Sequence, residues 1–107
     1  MFTINGQYWY VILVPAGHYK LLRSNGIATL GVCDDKDKTI YIQEGLRNSK
    51  LRKVLCHEIT HAAMFSFNVN LSIEQEELFA DLISSYGREI ISITNSLFRE
   101  LKKYKGT

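Results

Sequence analysis

The spacing of apolar residues changes part-way along the chain. From the start to Gln43 they come in short runs or alternate with polar residues, and from Ser49 they recur at helical intervals. In the first half, "FTI" and "QYWYVILV" flank Asn5-Gly6, the strongest short-range signal for a two-residue hairpin. "IATLGV" (27–32) and "TIYIQ" (39–43) lie on either side of the polar stretch "DDKDK" and read as a second antiparallel pair. "TIYIQ" is either an ordinary strand against the helices or an edge able to pair an extended peptide. Residues 16–25, "AGHYKLLRSN", fit a short helix or a strand equally well.

In the second half, Leu51, Leu55, Ala62 and Phe65, with Val54 and Ile59 beside them, predict a helix over about residues 48–66, capped by Asn48 or Ser49. "NVN" (68–70) breaks it, and Ser72 with Gln75 forms a capping box that opens a second helix. Phe79, Ile83, Tyr86, Ile90, Ile93, Leu97 and Leu101 hold one helical phase from there on, straight through Gly87, so a kink is expected at Gly87 rather than a loop. Unbroken, this helix would be roughly 50 Å long. That overhangs so small a domain, which predicts a bend near Gly87 or a partner along the far end, such as a second copy in a homodimer. The expected fold is α+β: a small antiparallel sheet from the N-terminal half packs on helix 48–66, and a long, kinked C-terminal helix follows.

Composition narrows the function. The 107 residues predict a single domain, and 46% apolar content provides a modest core. A net charge of +2 argues against nucleic acid. The one basic cluster, Arg99, Lys102, Lys103 and Lys105, falls where a terminal helix would end and complements its dipole. "YWYVILVPAG" is too short to span a membrane, has no Lys or Arg before it, and suits a strand. With no membrane segment or export signal in view, the expected compartment is the cytoplasm, where Cys33 and Cys56 stay reduced as small hydrophobes.

The chemistry is concentrated in "CHEITHAA" (56–63). On a helix, His57 and His61 differ by roughly 40° of rotation and lie one turn apart, so two imidazoles can reach one ion. Glu58, about 100° round from His57, is placed to reach a metal-activated water instead of ligating. This is the H-E-x-x-H division of labour, in which the glutamate is the general base. Such a site needs a third protein ligand. His18 is far upstream and Cys56 points away from His57, which leaves Glu74, Glu76, Glu77 and Asp81. Glu77 and Asp81 are four apart and share a face beside the apolar stripe, whereas Glu76 is rotated toward solvent. Glu77 is therefore the expected third ligand, and Asp81 is placed to accept the free ring N–H of a liganding histidine. Tyr19, Tyr86 and His18 are secondary candidates for stabilising an oxyanion.

H-E-x-x-H followed by "ELFAD" (77–81) resembles the gluzincin metallopeptidases, and more narrowly the small ImmA/IrrE-type metallopeptidases and their phage-encoded relatives. The run "LGVCDDKDKTIYIQEGL" and then "LRKVLCHEITHAAM" is similar to the same family, and the resemblance covers roughly residues 28–86. It implies a minimal zincin-like fold and a Zn2+ ion held by His57, His61 and Glu77, with Glu58 as base. It also implies a protein or peptide substrate, often a regulator such as a repressor in a mobile element. Two features depart from the family. Residues 62–76 alone separate His61 from Glu77, a short connection that implies a small cleft, and no added DNA-binding or sensor domain is evident. The competing readings are a metal-binding regulatory module without turnover, and a helical interaction protein that dimerises through its C-terminal helix.

Overall fold

In the computed structural model, which describes the backbone of residues 1–105 and the side chains of residues 1–103, both halves take the expected class: a four-stranded sheet first, helices after it. Strand β1 (Phe2–Ile4) turns into β2 (Gln7–Val14) through Asn5 and Gly6, both left-handed at φ 48° and 77°. A type I′ turn needs that pair of positive φ values, and Asn-Gly reaches them with little strain. Strands β3 (Gly31–Asp34) and β4 (Thr39–Gln43) form the second hairpin, with Cys33 opposite Ile40.

The way the hairpins join differs from the expected antiparallel sheet. The order is β1-β2-β4-β3, and β2 runs parallel to β4 with Val11 beside Ile40, so the sheet is mixed. The reason lies in residues 15–30. They contribute a 3₁₀ turn at Tyr19–Leu21, whose Leu21 is fully buried with Val14 and Tyr41, and a single antiparallel bridge between Leu22 and Ala28. The chain therefore starts β3 at the end of the sheet where β2 finished, and β4 returns between the two. As an interior strand, β4 is not an edge for peptide pairing; Ile40, Tyr41 and Ile42 are all buried. The edge on that side is β3.

Helix α1 (Asn48–Ser66) has Arg47 at its N-cap, with no side-chain cap bond, in place of Asn48 or Ser49. Its Leu51, Val54, Leu55, Ile59 and Ala62 pack against Trp9, Ile40 and Ile42 in the main core. The last turn is latched to the first hairpin. Trp9 Nε1 donates to the Ser66 hydroxyl at 2.8 Å, Ser66 Oγ donates to Gln7 at 3.1 Å, and Asn5 Nδ2 donates to the Ser66 carbonyl at 2.9 Å. A polar side chain is tolerated at this depth because its hydrogen-bonding groups are satisfied.

The capping box opens α2 (Ile73–Leu82) as expected, with Gln75 N donating to Ser72 Oγ and Ser72 N to Gln75 Oε1. In place of a simple kink at Gly87, a five-residue π-helical turn, Ile83–Gly87, connects α2 to α3 (Arg88–Lys105). A π turn is a recognised way of re-phasing a long helix. The apolar stripe does not border the core. Helix α2 turns Glu76, Glu77 and the fully buried Ala80 inward, while Phe79, Ile83 and Tyr86 remain exposed. Among the described residues no helix is long and apolar enough to cross a membrane. Cys33 and Cys56 are unpaired and half-buried.

Candidate metal centre

Two helices build the centre. Consecutive turns of α1 present His57 and His61, and the first two turns of α2 bring acids to meet them after the short connection at 67–72. The three expected ligands converge. His57 Nε2 lies 3.1 Å from Glu77 Oε2, His61 Nε2 lies 3.0 Å from Glu77 Oε1, and the two Nε2 atoms are 3.2 Å apart. One ligand atom from each residue falls within 4.8 Å of the others, so the group could hold a metal ion.

The far side of each imidazole explains why these atoms meet. His57 Nδ1 lies 3.1 Å from Oδ1 of Asp81, the residue expected to stand behind it. His61 Nδ1 lies 2.5 Å from Glu76 Oε1. Carboxylates accept, so each Nδ1 carries the proton, and each Nε2 then points a lone pair inward. Two imidazole lone pairs and the Glu77 carboxylate thus face one another with no donor between them. That arrangement is repulsive unless a cation, or a proton on one imidazole, lies at the centre. The spacing suits a cation. Ligands about 2.0–2.1 Å from a tetrahedral ion are about 3.3 Å apart, close to the separations here.

Sequence reasoning missed Glu76, which it turned toward solvent. Its side chain is only 19% exposed, against 66% for Asp81. Ala80, four residues on, was the available signal, because a small residue there lets α2 approach α1 closely enough to bring Glu76 within reach.

Glu58 is buried, at 8% exposure, on the wall of the same cavity. Burial raises its pKa above the ordinary carboxylate value; His57 and His61 pull it down, Glu77 pushes it up, and Arg23 pulls it down. The cavity, about 280 Å³, is also lined by Thr29, Gly31, Val32 and Cys33 from the β3 side and by Phe65 from α1. Burial likewise raises the Cys33 thiol, which keeps it protonated and unsuited to be a thiolate ligand. Neither His18, Tyr19 nor Tyr86 lines this cavity. His18 stacks on Tyr19 and accepts from Lys20 N, and Tyr86 faces a separate surface hollow with Asn48 and Arg52. The cation on the wall is Arg23. No protein-family model matches the chain, and no curated protein matches it.

Proposed function

We propose that this protein is a zinc metallopeptidase of the gluzincin type, cleaving a peptide bond with water. The observation that carries the reading is the convergence of two imidazole Nε2 lone pairs and the Glu77 carboxylate, each imidazole steered from behind by a carboxylate. Two histidines and one carboxylate are a donor set typical of catalytic zinc, and three protein ligands leave a position open. When bound there, zinc would supply Lewis acidity, polarising the scissile carbonyl and making the attacking water acidic.

The chain's own groups supply the rest. Glu58 takes the proton of the attacking water and passes it to the leaving amine, and its burial suits it to hold that proton between the two steps. Glu76 and Asp81 fix the imidazole tautomers, so neither ring has to reorganise during the reaction. The edge strand β3 lines the cavity beside Glu58, which favours an extended protein or peptide substrate laid along it. Following the sequence resemblance, the substrate we favour is a regulatory protein of a phage or other mobile element.

Elemental analysis of purified protein, with cleavage assays on wild type and Glu58→Gln, tests the reading. One zinc per chain in both proteins, with cleavage lost only in the mutant, supports it. Wild-type protein that binds zinc yet cleaves neither a candidate repressor nor an unfolded protein moves the assignment to a regulatory metal-binding module. Absence of metal affinity overturns both.

A further inference from the structure

We propose that the apolar stripe of the C-terminal helix is the self-association surface of this protein, and that two copies pair through it antiparallel. Within α3, Ile90, Ile93, Leu97 and Leu101 share one helical face, and each is between 51% and 61% exposed. Helix α3 is in substantial contact only with the π turn it grows from, so no other described element covers this face. A lone helix of 18 residues is near the limit of stability in water, and a long apolar stripe on it is an interaction surface by default.

Area and charge point to a second copy as the occupant. Half of a large apolar side chain is about 100 Å², so these four, with Ile91 and Phe98 at the flank, present about 600 Å², the lower end of what each partner gives to a specific interface. A two-fold axis near Asn95 would set Ile93 of one copy beside Leu97 of the other, and Ile90 beside Leu101, so the stripe is its own complement. Arg99, Lys102 and Lys103 gather at one end of the stripe and Glu89 lies near the other. A parallel pair would bring the two basic ends together, whereas an antiparallel pair moves each toward the neutral Arg88–Glu89 end of its neighbour. A membrane surface fits less well. On the polar face the cations Arg99, Lys102 and Lys103 sit at one end only; Arg88 and Glu89 cancel at the other, and Ser92, Asn95 and Ser96 between them are uncharged, where a helix lying on an anionic bilayer would carry Lys and Arg along its length. Glu77 and Asp81 lie on a different side of α2 from the exposed Phe79, so pairing leaves the metal centre open; the inference is independent of what that centre does.

Equilibrium sedimentation of the full chain tests it. The wild type should weigh twice 12.3 kDa. Leu97→Glu should return it to the monomer mass, while Ser92→Glu on the polar face should leave the dimer intact. Unchanged Trp9 fluorescence would show that the body of the monomeric mutant is still folded. Spin labels at Lys102→Cys, with Cys33 and Cys56 replaced by alanine, should lie about 20 Å or more apart in an antiparallel pair and about 10 Å in a parallel one. The short distance overturns the antiparallel arrangement. A wild type that is monomeric at every concentration overturns the proposal, and a monomer that binds phosphatidylserine vesicles overturns it in favour of a lipid surface.

Discussion

Glu76 and His61 make the closest polar contact of the metal centre, 2.5 Å between Oε1 and Nδ1. His61 is itself buried and Glu76 is far more enclosed than Asp81. The two second carboxylates are therefore not equivalent. Asp81→Ala should weaken zinc binding by roughly 10-fold and Glu76→Ala by closer to 100-fold, the two ends of the range for lost support behind a liganding histidine. Competition with a chelating dye measures both. Equal losses would mean that enclosure of the carboxylate adds nothing.

Gly31 packs β3 against α1. A Cβ built there would lie 2.9 Å from Val54 Cγ1, 3.0 Å from Glu58 Cγ and 3.2 Å from Ile42 Cδ1. Valine cannot rotate a methyl clear without meeting the backbone, so the strand or the helix must give way. Gly31→Ala should destabilise the fold by about 1–3 kcal/mol in urea unfolding. It should also lower any cleavage more than it lowers metal affinity, because the crowded neighbours include Glu58 but none of His57, His61 and Glu77. A mutant with normal stability and activity would show that β3 moves freely.

The convergence of His57, His61 and Glu77 was legible in the sequence because it depends largely on local geometry. The i, i+4 spacing of His57 and His61, the break at 68–70 and the Ser72–Gln75 box together bring the start of α2 back beside the two histidines. Three expectations failed, two of them through tertiary placement. The parallel pairing of β2 with β4 depends on where residues 15–30 deliver the chain, and that segment carries no strong pattern. The solvent position expected for Glu76 conflicts with the helix period itself, since Glu76 stands three residues before Phe79 and seven before Ile83 and so borders the stripe. The inward face of α2 is instead the one with Glu76, Glu77 and Ala80, which puts the stripe outside.

The hairpin latch offers a stability test away from the chemistry. Ser66 is 1% exposed and accepts from Trp9, which is fully buried. Ser66→Ala leaves the indole N–H without a partner and should lower stability by about 1–3 kcal/mol. Ser66→Thr keeps the hydroxyl and should lose less, unless its extra methyl is too large for the space. Denaturant midpoints for the three proteins, followed by Trp9 fluorescence, decide it; equal midpoints for serine and alanine would mean that water replaces the hydroxyl.

Glu58 gives the metal-free protein a pH dependence of unusual sign. Burial raises its folded-state pKa above the ordinary 4.5, an effect that His57 and His61 only partly offset. The folded state therefore holds this proton more tightly than the unfolded state does. By linkage, the Glu58 contribution to stability falls as pH rises from about 4.5 through the raised value, then stays level above it. The more familiar depressed carboxylate behaves the opposite way. Glu58→Gln keeps the size and removes the charge, so in chelator it should be more stable than the wild type at neutral pH. That advantage should shrink as the pH falls and disappear below the ordinary carboxylate range, where the wild-type side chain is protonated in both states. Added zinc should narrow the gap at neutral pH, because a cation beside Glu58 favours its charged form. Thermal unfolding of both proteins across this range, with and without zinc, reads all three trends. A mutant less stable than wild type at neutral pH in chelator would mean that Glu58 is held ionised in the apo fold, by Arg23 or a protonated histidine.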